Sequence, residues 1–158
     1  MTLREEAMHP FLFLSLVSLL TTFQQANHAP SQGAVLIEES SMDVPVLTPD
    51  SSVRYRLVNG GFVSRTTDGG ATWNGQLVSA NAKLVGGSAP SAKVCWVVGN
   101  KGTIYRTTDG ESWRKIPAPA QADLTAVDAK DASSATITLA NGKKFSTSNG
   151  GQTWRAVQ

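Results

Sequence analysis

One short phrase recurs three times in this chain and constrains its fold more than any other feature. "RTTDGGATW" at 65–73 returns as "RTTDGESW" at 106–113 and, more diverged, as "STSNGGQTW" at 146–154. The tryptophans that close the phrase are 40 and 41 residues apart: Trp73, Trp113 and Trp154. A fixed period near forty predicts an architecture of stacked, similar units.

Each unit contains strand patterns joined by turn signals. Apolar residues alternate in "VRYRLVN", "VCWVVGN" and "ATITLAN", which aligns Tyr55 with Trp96 and Ile137 and predicts one shared buried face. "NGG", "NKG" and "NGK" then supply residues for tight hairpin turns. With a strand carrying the tryptophan and another from segments such as "DLTAVDA" (123–129), each unit has about four strands. The predicted fold is all-β, a partial β-propeller of two to three four-stranded blades.

The recurring phrase resembles the Asp-box, also called the bacterial neuraminidase repeat. An Asp in such a turn accepts hydrogen bonds from backbone N–H groups, glycine permits the required angles, and hydroxyl groups add local bonds. The second box is one residue shorter and the third has Asn149 in place of Asp, changes that a turn tolerates better than a metal site or a catalytic carboxylate. We therefore predict a structural role for the box residues: Thr66, Asp68, Gly70, Trp73, Thr107, Asp109, Gly110, Trp113, Thr147, Asn149, Gly151 and Trp154.

The spacing and the segment "APSAKVCWVVGNKGTIYRTTDG" are similar to a narrower family, the photosystem II stability and assembly factor-like repeat proteins. The resemblance covers roughly residues 53–158. It implies a propeller that acts as an assembly chaperone for a reaction-centre subunit, built of seven blades in the photosynthetic members. This chain has room for at most three, like the short bacterial version.

Three blades do not close a ring, so both terminal blades are expected to expose an apolar face. Three remedies are open. The segment "GAVLIEE" could supply a capping strand, two chains could form a six-bladed ring as a homodimer, or a partner could cover the open end. Capping within a monomer is the favoured one.

The residues before the first unit divide into a leader and a linker. Residues 1–29 contain the ten-residue apolar run "FLFLSLVSLL", which is too short to span a bilayer and predicts a signal peptide or membrane-targeting segment. Residues 30–52 form an acidic and polar linker, and residues 53–158 form the repeat domain. The protein is expected to be exported, whether periplasmic, extracellular or membrane-tethered, and cytoplasmic if the leader is not a signal.

Charge is distributed unevenly along the chain. Residues 53–158 hold thirteen Lys or Arg against six Asp or Glu, whereas residues 1–52 hold one basic and six acidic residues. A basic domain favours an anionic partner. Because no nucleic-acid motif is present, we predict a protein partner with an acidic surface and no nucleic acid, bound through a basic face: Arg54, Arg56, Arg65, Arg106 and Arg114.

Catalytic residues are scarce in the repeats. Glu111 is the only glutamate after residue 39, and both histidines, His9 and His28, precede residue 53. These residues offer no paired carboxylates, no Ser–His–Asp set and no histidine metal site. Cys95, in "VCWVVG", is expected to be a buried, inert thiol. The predicted function is a non-catalytic protein-binding or assembly module without cofactor or metal. The alternatives are a lectin-like partial propeller and, more remotely, a sialidase-like glycoside hydrolase fragment.

Overall fold

The computed structural model describes residues 43–158, which form twelve β-strands and no helix. No helix in that range is therefore long and apolar enough to cross a membrane. Blade 1 consists of β1 (Val44–Val46), β2 (Arg54–Val58), β3 (Phe62–Thr66) and β4 (Asn74–Leu77). Blade 2 consists of β5 (Leu84–Ser88), β6 (Cys95–Gly99), β7 (Ile104–Thr107) and β8 (Arg114–Lys115). Blade 3 consists of β9 (Leu124–Ala129), β10 (Ala135–Leu139), β11 (Lys144–Thr147) and β12 (Arg155–Val157).

Each blade is an antiparallel meander in which every strand pairs with its sequence neighbour. The second and third strands meet at the Asn–Gly hairpins, and the three phrases that end in tryptophan connect the third and fourth strands. We call these connections the tryptophan turns: turn 1 (65–73), turn 2 (106–113) and turn 3 (146–154). The architecture is the predicted partial β-propeller, with three four-stranded blades.

The middle blade explains why the sequence "CWVVG" is apolar without alternation. Two apolar clusters lie between successive blades, and β6 contributes to both. Cys95 and Val97 pack in the cluster shared with blade 1, whereas Trp96 and Val98 pack in the cluster shared with blade 3, and all four are 0% exposed. A strand covered on both faces needs apolar residues at every position.

Each blade has two faces, named here by sequence order. The forward face contacts the next blade along the chain, and the backward face is the opposite one. In blade 1, Tyr55, Leu57 and Val63 lie on the forward face and pack against Cys95 and Val97 on the backward face of blade 2. The core of the protein is thus a series of interfaces between blades.

The predicted alignment of Ile137 with Tyr55 and Trp96 is wrong by one residue, in the second strand of the third unit. From the hairpin Asn to the Thr of the tryptophan turn there are seven positions in units one and two, but six between Asn141 and Thr147. Trp96 pairs with Arg106 in blade 2, and Thr136 pairs with Ser146 in blade 3. Since a one-residue shift moves a strand residue to the other face, Ile137 packs backward against blade 2. Thr136 is therefore the counterpart of Trp96.

The expectation that both terminal blades expose an apolar face is wrong for blade 3. On its forward face, the paired residues of β10 and β11 are hydrophilic, Thr136 with Ser146 and Thr138 with Lys144, and Val157 of β12, opposite Lys144, is an exposed hydrophobic residue at the edge. Blade 1 does expose Phe62 and Leu77, which pair with each other on its backward face.

The first blade obtains its innermost strand from the linker. β1 pairs antiparallel with β2, with Val46 opposite Tyr55 and 3% exposed. The sheet therefore begins before residue 53. The predicted leader and the segment "GAVLIEE" lie outside the described residues.

Candidate partner-binding surface

The three tryptophan turns share one hydrogen-bonding scheme built on a buried threonine. In turn 1, the Thr66 hydroxyl donates to Asp68 Oδ1 at 2.7 Å and accepts from the Gly70 N–H at 3.0 Å. Asp68 Oδ1 also accepts the Thr72 N–H at 2.9 Å. Turn 2 repeats the threonine bonds through Thr107, Asp109 and Gly110. These bonds close each turn on itself, so the side chains serve the fold.

Asn149 preserves the scheme of turn 3 without a charge. Its Oδ1 accepts from the Thr147 hydroxyl and from the Thr153 N–H, both at 3.0 Å. In the other turns hydrogen bonds hold the carboxyl pKa well below its usual range, chiefly the Thr66 hydroxyl at Asp68 and the Glu111 backbone N–H at Asp109. The charged and neutral side chains accept equivalent bonds, as a structural role at these positions requires.

The stability of the protein should therefore fall in acid. A carboxyl whose folded pKa is lowered stabilises the fold above its unfolded pKa, near 3.8, and loses that contribution as the pH drops further. We expect the urea midpoint to be flat above about pH 5 and to fall between about pH 4 and 2. Asp50 and Asp131, whose pKa values hydrogen bonds also lower, add to the loss.

The matched variant carries Asp68→Asn and Asp109→Asn, which copy Asn149. It should show a shallower acid decline than the unmodified chain, because two of the four carboxyls whose pKa the fold lowers among the described residues are gone. If the stability of both proteins falls equally as the pH is lowered, Asp68 and Asp109 do not cause the loss of stability in acid.

Two of the three tryptophan rings hydrogen-bond to the preceding blade or to the loop that follows it. Trp113 Nε1 donates to Gln76 Oε1 of blade 1 at 2.7 Å, and Trp154 Nε1 donates to the Pro117 carbonyl of blade 2 at 2.8 Å. Trp113 also lies edge-on to Tyr55, with ring centroids 6.5 Å apart. No described blade precedes the blade of Trp73, and Trp73 Nε1 donates to the Gly70 carbonyl of its own turn at 3.1 Å.

Two arginines of the predicted basic face fasten one blade to the next. Arg65 and Arg106 each lie over the aromatic ring of their cross-strand partner, at 5.8 Å from the Tyr55 centroid and 5.0 Å from the Trp96 centroid. Both members of each pair donate to the loop of the following blade. Tyr55 and Arg65 donate to the Ala92 carbonyl, at 2.9 and 3.4 Å.

The second pair makes the same connection to blade 3. Trp96 Nε1 donates to the Asp131 carbonyl at 3.1 Å. The Arg106 guanidinium donates to the carbonyls of Ala132 and, at 3.3 Å, Gly150. These two arginines are therefore tied into the interfaces between blades.

The five predicted arginines do not form a single face. Arg54 and Arg56 lie on the backward face of blade 1, where Arg56 covers the Trp73 ring at 4.3 Å and pairs with Asp43 at 3.4 Å. Arg65 lies on the opposite side of the same blade. Arg106 and Arg114 are cross-strand partners on blade 2.

Two clefts open between successive blades beside these arginines. The first cleft, of about 270 Å³, lies between blades 1 and 2, and its lining includes Arg65, Trp73, Gln76 and Glu111. The second cleft, of about 150 Å³, lies between blades 2 and 3. It is lined by Arg106, Arg114 and Lys115, by Ile116 and Pro117, and by residues 149–152 of turn 3. The lining of the second cleft contains three basic side chains and no carboxylate.

Sequence reasoning missed three loop residues that hold the acceptor carbonyls in place. Asp50, Ser91 and Asp131 are 41 and 40 residues apart and precede the second strand of each blade. Their side chains accept backbone N–H groups within the loop, as Asp131 does from Ser133 at 2.6 Å and from Ser134 at 2.7 Å. The same period that marked the tryptophans would have marked this position too. Gln76 had no such signal, although it bridges Trp113 and the Gly110 carbonyl.

Two nucleophilic side chains among the described residues, Tyr55 and Cys95, are buried and hard to ionise. Burial raises the pKa of Tyr55 to about 12 and raises that of the Cys95 thiol well above its usual range. Both side chains are at most 1% exposed. Residues 43–158 contain no group of three or more His, Cys, Asp or Glu side chains placed to hold a metal ion.

Comparison with known proteins places these features in a family. The family model described as "Photosynthesis system II assembly factor YCF48" matches residues 25–158. The chloroplast photosystem II stability/assembly factor HCF136 of Arabidopsis thaliana is 26% identical over 124 residues. That alignment covers 73% of this chain and 31% of the relative, so the chain spans about a third of that protein.

Two solved structures share the fold. One, described as YCF48 bound to D1 peptide, has a TM-score of 0.63 and 23% identity, over 71% of this chain and 40% of that one. The other, YCF48 from Cyanidioschyzon merolae, has a TM-score of 0.62 and 24% identity, over 72% and 39%. The match across most of its length shows that the chain belongs to the photosystem II assembly factor YCF48 family.

Proposed function

We propose that this protein is a non-catalytic protein-binding module with an assembly role, and that it holds acidic side chains of a partner protein in the second cleft. Its family and its curated relative are assembly factors, and one solved relative is described as bound to a D1 peptide. These findings support a protein partner. The choice of the second cleft rests on its charge.

The two clefts differ in how their arginines are balanced. In the first cleft, Arg65 shares the lining with the carboxylate of Glu111. In the second cleft, Arg106 and Arg114 are cross-strand neighbours with Lys115 beside them. Burial and the nearby Arg114 lower the pKa of Arg106, which means that its charge is destabilised there. A carboxylate in this cleft would relieve the repulsion and form charge-assisted hydrogen bonds.

An acidic peptide tests this proposal. We expect the full chain to bind a fluorescent decapeptide of alternating Glu and Gly, with affinity that falls as salt rises, and to ignore the matched Gln–Gly peptide. The double variant Arg114→Glu, Lys115→Glu should lose at least about tenfold in affinity, because both side chains lie at the cleft.

The matched control reverses two exposed lysines elsewhere, Lys83→Glu and Lys93→Glu, and changes the net charge equally. It should keep most of the affinity. If both double variants weaken binding alike, the peptide senses net charge alone and the second cleft is not its site.

A lectin-like role remains the alternative, and it would use the first cleft. There Trp73 and the polar side chains of Asn74, Gln76 and Glu111 combine an aromatic ring with hydrogen-bonding groups, as carbohydrate sites do. Retention of a glycan by the full chain, abolished by Asn74→Ala, would favour this function. For the hydrolase alternative, turnover of a fluorogenic sialoside that Glu111→Gln abolishes would be required.

We further propose that the protein is exported and that the leader is removed or tethers it to a membrane. The ten-residue apolar run before a polar segment supports this. N-terminal sequencing of protein from its native host should find a start beyond residue 20. An intact Met1 in a cytosolic fraction would contradict export.

A further inference from the structure

The two inner interfaces show what a blade needs in order to accept a neighbour. On the forward faces of blades 1 and 2, four equivalent positions carry an aromatic residue, two aliphatic residues and an arginine. They are Tyr55, Leu57, Val63 and Arg65 in blade 1, and Trp96, Val98, Ile104 and Arg106 in blade 2. The aliphatic residues fill the apolar clusters, and the aromatic and arginine side chains donate to loop carbonyls of the next blade.

Blade 3 has none of these residue types at the equivalent positions of its forward face. The cross-strand register places Thr136, Thr138, Lys144 and Ser146 there. None of the four is aromatic or aliphatic, and Lys144 occupies the position of Val63 and Ile104. At these four positions the forward face of blade 3 therefore lacks both the apolar surface and the two donors that connect the inner blades, and Val157, opposite Lys144, is the exposed apolar side chain of its outer strand.

The backward face of blade 1 is altered in a complementary way. Where blade 2 has Cys95 and Val97, both buried against blade 1, blade 1 has Arg54 and Arg56. Arg56 lies over the Trp73 ring. In blade 2 the equivalent ring is that of Trp113, and Tyr55 of the preceding blade contacts it edge-on. Asp43 pairs with Arg56 from the same chain. The arginine thus takes the place that a preceding blade fills in the inner interface.

We infer that the outward faces of blades 1 and 3 are end caps that prevent a second copy of this chain from stacking head to tail, so that the six-bladed homodimeric ring does not form. In such a ring, blade 3 of one copy would bring Lys144 toward Arg54 and Arg56 of the other, and its forward face also carries Asp128 and Arg155. The two faces would bury more basic than acidic side chains together, which is strongly unfavourable, and no apolar cluster like those of the inner interfaces would compensate for it. Phe62 and Leu77 expose apolar surface at one end of the blade 1 face, and on blade 3 only Val157, opposite Lys144, is an exposed large hydrophobic residue among the described residues.

The test transfers the inner-interface residues to both outward faces of the full chain. One variant replaces Arg54 by Ala and Arg56 by Val on blade 1. A second replaces Thr136 by Trp, Thr138 by Val, Lys144 by Ile and Ser146 by Arg on blade 3. Light scattering, over about a hundredfold range of concentration, compares the unmodified chain, each variant and the combination, and circular dichroism reports whether each is folded.

We expect the unmodified chain to be monomeric throughout, and the combined variant to double in mass. The inference would be overturned if the unmodified chain dimerised. It would also be overturned if the combined variant folded and stayed monomeric. If the combined variant does not fold, a smaller combination decides: Arg54→Ala and Arg56→Val on blade 1 with Lys144→Ile on blade 3. This variant should self-associate, whereas the matched variant Arg54→Lys, Arg56→Lys, Lys144→Arg should not, and the inference is overturned if the smaller combination folds and stays monomeric.

Discussion

Replacing Trp96 by alanine is expected to destabilise this protein more than the loss of any tryptophan in the three tryptophan turns. The Trp96 ring is 0% exposed in the cluster between blades 2 and 3, and deleting so large a buried side chain costs about 3–5 kcal/mol. The variant also loses the hydrogen bond to the Asp131 carbonyl and the ring under Arg106. Because domains of this size are stable by about 5–15 kcal/mol, urea unfolding should show a large fraction of that stability gone.

Trp113→Ala is the comparison for this experiment. The Trp113 ring is partly exposed at the interface between blades 1 and 2, so its loss should lower the free energy of unfolding by less, about 2 kcal/mol. Trp96→Phe keeps most of the apolar ring and removes only the donor to Asp131, and it should fall between the unmodified chain and Trp96→Ala. Equal midpoints for Trp96→Ala and Trp113→Ala would show that burial between the blades is not what these rings supply.

The contrast between these tryptophans shows what the sequence could and could not predict. The recurring phrase marked Trp113 because a turn repeats its residue types, and the strands, hairpins and four-stranded blades followed from that period. Trp96 is an ordinary member of an apolar run, and no local pattern says that one face of the run meets blade 1 and the other blade 3. That assignment depends on how blades stack, which is a long-range property.

The predicted basic face had the same limit. Strand alternation places Arg54 and Arg56 on one side of blade 1 and Arg65 on the other, so their separation could have been predicted from the sequence. The pairing of Arg106 with Arg114 depends on a register that crosses the shortened turn 2. The misalignment of the third unit has a similar cause. Its hairpin is one residue shorter, and a one-residue shift in register moves the aligned strand residues to the opposite face of the sheet.

Gly61→Ala is expected to have the second-largest effect. Gly61 ends the first hairpin turn at φ +78°, and a β-carbon there would overlap the Ser79 carbonyl oxygen. Its own carbonyl accepts the N–H groups of Val78 and Ser79, at 3.0 and 3.1 Å, so the two segments cannot separate without losing both bonds. The backbone conformation alone costs an alanine about 1–3 kcal/mol, and the clash adds to it.

Gly142→Ala separates these two causes. Gly142 lies in the third hairpin with φ +83°, but nothing stands within 4 Å of its added β-carbon. This variant should therefore show only the same conformational cost, about 1–3 kcal/mol. The free energies of unfolding of the two variants, measured side by side in urea, should differ by the added cost of the clash at Gly61. If Gly61→Ala were as mild as Gly142→Ala, the Ser79 segment would have moved aside, and the close approach of the first hairpin would not be needed for the stability of blade 1.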